Sequence, residues 1–140
     1  MEDEIRILWV DDEPLVRRSM EKTLIRAGME VETAAGALDG LARFTAALEA
    51  APFNLAVVDL HMPDLRGVDN PDAGLELLSE LLARQPALPV IGLTACDGVE
   101  RAKEAITRGA RAYFVKGREA GLLELVHTIL EEEDKEGDEK

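Results

Sequence analysis

Acidic, hydroxyl and amine side chains follow short apolar runs at four places in this sequence. The residues concerned are Asp11 with Asp12, then Asp59, Thr94 and Lys116. Three carboxylates placed together repel one another unless a cation lies among them. Carboxylate oxygens suit Mg²⁺, or Mn²⁺ in its place, and Mg²⁺ is commonly held by one or two carboxylates, waters and a phosphate. The set therefore indicates metal-assisted phosphoryl chemistry.

Asp59 is the candidate nucleophile, because a carboxylate can attack phosphorus to form an acyl phosphate. A metal ion and Lys116 would neutralise charge on the phosphoryl group, and the Thr94 hydroxyl can donate a hydrogen bond to one of its oxygens. Each residue alone also has a structural explanation, such as a helix N-cap for the acid pair or a turn for Asp59. Their joint occurrence at successive strand ends favours a functional site.

The apolar runs that precede these residues predict β-strands. They alternate with longer amphipathic stretches, which predicts five βα units. Nearly continuous apolar strands are typical of a parallel sheet covered by helices on both faces, so the predicted fold class is α/β, a doubly wound five-stranded sheet with strand order 2-1-3-4-5. In that order, strands one, three, four and five are neighbours, and their carboxyl ends meet at one edge. The predicted strands are Ile5–Val10, Glu30–Ala34, Leu55–Asp59, Leu88–Leu93 and Ala112–Val115.

Between the strands, apolar residues recur at helical spacing and predict buried helix faces. One such face consists of Val99, Ala102 and Ile106. Asp97 and Glu100, three residues apart, predict a capping box at the start of the same helix.

Composition restricts the partners and the location. The net charge of −13, from 16 basic and 29 acidic residues, disfavours direct binding to nucleic acid or to an anionic membrane surface. No run approaches the roughly 18 apolar residues of a membrane span, and the acidic N-terminus is unlike a signal peptide. A single cysteine, Cys96, excludes an intrachain disulfide. We therefore expect a cytoplasmic protein.

The apolar pattern stops near residue 130. Residues 131–140 contain seven acids and two lysines, which predicts a solvated segment. We expect one domain over residues 1–130, followed by an acidic tail or the start of a linker.

Four motif blocks occur in an order that resembles the receiver domains of bacterial two-component response regulators. They are Val10-Asp-Asp-Glu-Pro14, Val58-Asp-Leu-His-Met-Pro63, Leu93-Thr-Ala95 and Tyr113-Phe-Val-Lys116. The resemblance covers nearly the whole chain. It implies a flavodoxin-like fold and magnesium-dependent phosphotransfer to Asp59 from a sensor histidine kinase or a histidine phosphotransfer protein. Small phosphodonors would also serve.

The resemblance assigns metal ligands residue by residue. Asp12 and Asp59 resemble the direct ligands, the backbone carbonyl of His61 resembles a third, and Asp11 is similar to the carboxylate that acts through a bound water. Thr94 and Lys116 resemble the phosphate-sensing pair.

Tyr113 is similar to the aromatic residue that turns inward when the threonine moves toward the phosphoryl group. By resemblance, the output is a changed surface for a downstream protein target that the sequence does not identify, and a phosphorylation-dependent homodimer through the fourth and fifth helices is common in the family. Such a chain is not an enzyme on other substrates, since it catalyses only its own phosphorylation and dephosphorylation.

Three departures from the family pattern occur. Gly117 stands where the family often has proline after the lysine, a position associated with a cis peptide. Between Gly67 and Gly74 the loop is longer by about seven residues, which is a partner-specificity element or a tolerated surface insertion. His61 and Cys96 occupy positions whose side chains tune phosphoryl lifetime in the family, so we expect substitution of His61 to change the dephosphorylation rate.

Two other functions compete with this interpretation. Aspartyl phosphatases of the haloacid dehalogenase type use similar residues, but they place the nucleophile on the first strand with a second acid two residues later. Here the acid pair comes first. A pseudo-receiver that binds partners without phosphorylation is the second alternative, and the complete set of acids, threonine and lysine argues against it.

Overall fold

The computed structural model describes residues 4–95, 97–117 and 121–138, with side chains described as far as residue 133. The elements in chain order are β1 (Arg6–Val10), α1 (Pro14–Arg26), β2 (Glu30–Ala34), α2 (Ala37–Leu48), β3 (Leu55–Asp59), β4 (Met62–Pro63), β5 (Asp69–Asn70), α3 (Ala73–Arg84), β6 (Val90–Thr94), α4 (Val99–Thr107), β7 (Ala112–Val115) and α5 (Leu122–Asp138).

Five parallel strands form the main sheet in the order β2-β1-β3-β6-β7. Because β4 and β5 are short strands outside this sheet, the order is the predicted 2-1-3-4-5, and the predicted α/β doubly wound fold is confirmed. β2, β3 and β7 have the predicted bounds, whereas β6 begins and ends later than the predicted Leu88–Leu93. The central strands β3 and β6 are buried along their full length, as expected for strands covered on both faces.

Alternate strand residues pack into two hydrophobic layers, one on each side of the sheet. The layer against α1 and α5 contains Ile7, Trp9, Leu55, Val57, Ile91 and Leu93. The layer against α2, α3 and α4 contains Leu8, Val10, Ala56, Val58 and Val90. Side chains in a strand point to opposite faces in turn, so both layers come from the same short runs.

Helix α4 differs from the prediction in two respects. Ala102 is buried together with Ala105, but Val99 is 47% exposed and Ile106 is 43% exposed. The small alanines let α4 lie close to β6, which leaves the larger residues at the sides of the contact. The predicted capping box is also wrong: the N-cap residue is Gly98, and among the described residues no side chain caps the helix start.

The long loop after β3 contains a small antiparallel hairpin, β4–β5, in which Met62 pairs with Asn70 and Pro63 with Asp69. Asp64 organises its turn and is only 1% exposed. The Asp64 carboxylate accepts hydrogen bonds from the backbone N–H groups of Arg66 and Val68 at 2.9 and 3.1 Å, and from the Asn70 side chain at 3.0 Å. These hydrogen bonds hold the pKa of Asp64 well below its usual range. The additional residues therefore form an ordered element.

Helix α5 continues to Asp138, and the Glu133 side chain pairs with Arg111. The predicted boundary at residue 130 between a domain and an acidic tail stays a prediction. Within the part of the chain that the structure describes, no helix is both long and apolar enough to cross a membrane.

Candidate functional site

Parallel pairing brings the polar strand ends together at one edge of the sheet. Asp59 is in register with Leu93, so Thr94 lies one residue beyond it on the neighbouring strand. The backbone N–H of Lys116 donates to the Thr94 carbonyl at 2.8 Å. On the other side, β1 pairs with β3 and ends at Val10, directly before the acid pair. Ligands bind at this kind of edge in doubly wound sheets.

Lys116 is the centre of the charged cluster. Its Nζ lies 2.6 Å from Asp59 Oδ2 and 3.2 Å from Asp11 Oδ1, and it also contacts the Glu13 carboxylate. One ammonium thus links three acids, two from the turn between β1 and α1 and one from the end of β3. The Lys116 side chain is 17% exposed, whereas those of Asp11 and Asp59 are 0% and 5% exposed. Water therefore screens the contacts of Lys116 with Asp11 and Asp59 little.

Asp11 is held by the local chain as well as by Lys116. Its carboxylate accepts a hydrogen bond from the Glu13 backbone N–H at 3.0 Å and a longer one from Trp9 Nε1 at 3.4 Å. Arg17 donates to the Asp11 carbonyl at 2.6 Å. Pro14 begins α1 at a position where its missing N–H costs nothing. The turn between β1 and α1 therefore fixes the orientation of Asp11.

Burial governs the ionisation of the central pair. Loss of solvent raises the pKa of Asp59 to about 7; contact with the Lys116 ammonium opposes this shift and the nearby Asp11 adds to it. Burial by itself lowers the pKa of Lys116, but its hydrogen bonds to Asp59 and Glu13 outweigh that effect, and the net shift is upward. Without a further cation, the folded protein therefore disfavours the ionised form of Asp59, while Lys116 stays charged.

Four carboxylates could share a metal ion. Oxygens of Asp11, Asp12, Glu13 and Asp59 all lie within 4.8 Å of one another. Within the described residues the donors are hard carboxylate oxygens without histidine nitrogen or cysteine sulfur, a set that suits Mg²⁺ or Mn²⁺ rather than zinc. Asp12 and Glu13 are exposed, which leaves a path from solvent. The residues present therefore fit a divalent cation, which would also favour the Asp59 carboxylate.

The cluster opens into a cleft of about 650 Å³. Its lining includes the strand-end residues together with parts of the hairpin and of α4: Asp12, Glu13, Asp59, Leu60, His61, Asp69, Pro71, Leu93, Thr94, Ala95, Asp97, Gly98, Arg101 and Lys116. Thr94 is 4% exposed, and its hydroxyl donates to the carbonyls of Ala95 and Gly98, both at 3.1 Å.

The β4–β5 hairpin forms one wall of this cleft. His61 Nε2 lies 3.0 Å from the Asp69 carboxylate, and the backbone N–H of His61 approaches Asp59 Oδ1 at 3.3 Å. At the start of α3, a Cβ on Gly74 would stand 2.3 Å from the Asp59 carbonyl oxygen. Only glycine permits this close approach of the helix to the end of β3.

The structure brings together most of the predicted site residues. Those in contact or in the shared cleft are Asp11, Asp12, Asp59, His61, Thr94 and Lys116. Tyr113 lies on β7 outside the lining of the cleft and is 44% exposed, so its role as an aromatic switch stays a prediction. Cys96 lies outside the described residues. Gly117 has φ +97°, and no cis peptide bond occurs in the described ranges, the Lys116–Gly117 bond included.

A family model decides what kind of domain carries this site. The model for the response regulator receiver domain matches residues 7–129. The chain belongs to this family. The resemblance of the four motif blocks is thereby confirmed, and the receiver domain has the flavodoxin-like fold that the resemblance implied.

Individual relatives of this chain are also response regulators. The receiver domain is 40% identical over 125 residues to the response regulator protein FleR of Pseudomonas aeruginosa, covering 86% of this chain and 24% of FleR. It is 33% identical to PilR of the same organism, covering 96% of this chain and 28% of PilR. It thus spans about a quarter of the length of these curated relatives.

Solved structures that resemble this chain include a response regulator receiver domain. The CheY-like receiver domain protein of Methanospirillum hungatei has a TM-score of 0.81 at 34% identity, covering 96% of this chain and 99% of that one. NtrX from Brucella abortus, in complex with ADP, has a TM-score of 0.77 at 34% identity, covering 98% of this chain and 29% of that one.

Three residues at the site were missed as candidates from the sequence. Glu13 joins the carboxylate cluster and Lys116, and its place beside the acid pair was the available signal. Asp69 and Arg101 line the cleft from the hairpin and from α4. The sequence gives no signal for Asp69 or Arg101, because their places in the cleft depend on how the loop and the helix pack against the sheet edge.

Proposed function

We propose that Asp59 of this receiver domain accepts a phosphoryl group from a phosphohistidine on a sensor histidine kinase or a histidine phosphotransfer protein. The contact of 2.6 Å between Asp59 and Lys116, inside a cluster of carboxylates at an open cleft, carries the proposal. A buried aspartate beside an ammonium is shielded from water, yet the cleft admits a donor. In the transfer, the phosphorus–nitrogen bond breaks, a phosphorus–oxygen bond forms at Asp59, and the leaving imidazole takes up a proton.

Asp12 and Asp59, the Asp11 carboxylate through a water, and the backbone carbonyl of His61 would hold Mg²⁺ or Mn²⁺. Once bound, the ion would neutralise charge on the phosphoryl oxygens. Lys116 already lies against Asp59 and needs little movement to contact a phosphoryl group there. Thr94 borders the same cleft and can donate its single proton to a phosphoryl oxygen only by leaving its present carbonyl partners.

The result of phosphorylation would be a changed surface rather than a chemical product. Val99, Ile106 and Tyr113 are exposed apolar residues of α4 and β7, and Val99 directly follows the β6–α4 loop that contains Thr94's partners. A response of this surface to Asp59 would bias binding of a downstream protein or of a second copy, as charge-driven switches do. The chemistry would be confined to the chain's own aspartate. A cytoplasmic location stays a prediction.

Intact-mass spectrometry tests the acceptor. The wild type is incubated with phosphoramidate and Mg²⁺, beside a sample in EDTA and beside the Asp59→Asn variant. Asp39→Asn, which removes an exposed carboxylate on α2, is the matched control. We expect one phosphoryl adduct on the wild type and on Asp39→Asn, and none on Asp59→Asn or in EDTA. Failure of the wild type both to form an adduct and to bind beryllofluoride would favour a pseudo-receiver.

A further inference from the structure

The Thr94 hydroxyl has one proton, and in this structure that proton is committed away from Asp59. It is shared between the Ala95 and Gly98 carbonyls at 3.1 Å each, in a side chain that is 4% exposed. A hydroxyl can donate only one hydrogen at a time. Any oxyanion beside Asp59 that uses Thr94 must therefore compete with these carbonyls.

Gly98 provides the space that this arrangement needs. A Cβ at Gly98 would stand 2.2 Å from Thr94 Oγ1, closer than two such atoms can approach, but 3.6 Å from Thr94 Cβ, an ordinary contact. The backbone of Gly98 has φ −96° and ψ 29°, outside the left-handed region that favours glycine. Glycine is therefore required here chiefly by the Thr94 hydroxyl and not by the backbone angles of residue 98.

We propose that Gly98 is a positioning residue that holds Thr94 in a retracted state and so weakens the response of the site to a phosphoryl group. The proposal rests on Asp59 being the phosphoacceptor. Alanine at position 98 would exclude the hydroxyl from its present place. Rotation about one side-chain bond relieves that clash because Thr94 Cβ is 3.6 Å away, and the Ala95 carbonyl oxygen, at 3.2 Å from the new Cβ, must move by a few tenths of an ångström. The hydroxyl would then be available to an oxyanion in the cleft without first breaking a hydrogen bond.

Beryllofluoride, formed from beryllium and fluoride salts with Mg²⁺, is the probe for this competition. Trp9 is the only tryptophan in the sequence, and its indole N–H approaches Asp11, so we expect its fluorescence to change on binding. A neutral hydrogen bond is worth about a three- to tenfold factor in an equilibrium constant. We expect Gly98→Ala to bind beryllofluoride more tightly than the wild type by about that factor.

Two comparisons make the test specific to Thr94. In a Thr94→Val background, Gly98→Ala should give no gain, because valine has no hydroxyl to displace. Gly121→Ala, whose new Cβ would meet Phe114 at an ordinary 3.5 Å, should bind like the wild type. Urea unfolding of each variant establishes that it is folded.

The outcomes separate the two proposals. If the wild type binds no beryllofluoride and forms no adduct, the phosphoacceptor proposal fails. If the wild type binds and folded Gly98→Ala binds equally or more weakly, or gains as much in the Thr94→Val background, the role of Gly98 is refuted. Unfolding of both Gly98→Ala and Gly98→Ser would also refute it, since the adjustments required are rotation of one short side chain and a shift of a few tenths of an ångström at the Ala95 carbonyl.

Discussion

Ionisation of Asp59 should make the metal-free protein less stable as pH rises, and Asp59→Asn should remove this effect. Burial raises the pKa of Asp59 from 3.8 to about 7. Between these values the folded protein binds this proton and the unfolded chain releases it, so the contribution of Asp59 to stability falls as pH increases. Asparagine has the same shape, does not titrate, and can still accept a hydrogen bond from Lys116.

The size of the effect follows from the two pKa values. With 3.8 in the unfolded chain and about 7 in the folded protein, the wild type should lose about 2.5 kcal/mol relative to the variant between pH 5 and pH 8. Lys116 has a raised pKa and stays charged throughout this range. Replacing the carboxylate can also change the free energy of unfolding by an amount that does not depend on pH. That amount cancels when the difference between wild type and variant at pH 5 is compared with the difference at pH 8.

Urea unfolding followed by circular dichroism, in EDTA at pH 5, 6, 7 and 8, measures this difference. Asp39→Asn is the control, because Asp39 is an exposed partner of Arg43 outside the lining of the cleft, and the stability of this variant should follow the wild-type pH curve. Added Mg²⁺ at pH 8 should stabilise the wild type more than Asp59→Asn, since the ion needs the carboxylate. Parallel pH curves for the wild type and Asp59→Asn would refute the assignment of a raised pKa to burial.

Two further predictions concern the hairpin wall of the cleft. Asp64→Asn should lower the thermal midpoint at pH 7 by about 3 to 6 °C, because the backbone N–H groups of the turn lose an ionised acceptor. Since the pKa of Asp64 is lowered in the folded protein, the difference in midpoint between wild type and variant should shrink as pH falls below the ordinary pKa of 3.8. A difference in thermal melts that stays constant down to pH 2.5 would contradict this prediction. His61→Ala removes the side chain that Asp69 holds at the cleft, so it should change the half-life of the phosphorylated protein. Mass spectrometry after removal of the phosphodonor measures this half-life. An unchanged half-life would exclude tuning by His61.

Much of the fold could be predicted because its signals are local. The runs at β1, β3 and β6 are apolar on both faces, which is the signature of strands covered on both sides. Right-handed crossovers then restrict such units to a few doubly wound sheets, of which 2-1-3-4-5 is one common order. The prediction failed at α4, where burial of Val99 and Ile106 was inferred from spacing alone. Spacing identifies one face of a helix, but how much of that face the sheet covers depends on neighbours distant in sequence.

The sequence by itself determined which chemical groups stand at the strand ends, since residue type and strand position are both encoded locally. Only the tertiary structure decided how those groups engage one another. Contact of Lys116 with Asp11 and Asp59 joins residues more than 50 positions apart, and the hairpin wall depends on Asp64 folding its own loop. The retracted Thr94 hydroxyl depends on an absent Cβ at Gly98. Such features arise from side-chain rotamers and packing at close range, which the pattern of residue types does not specify.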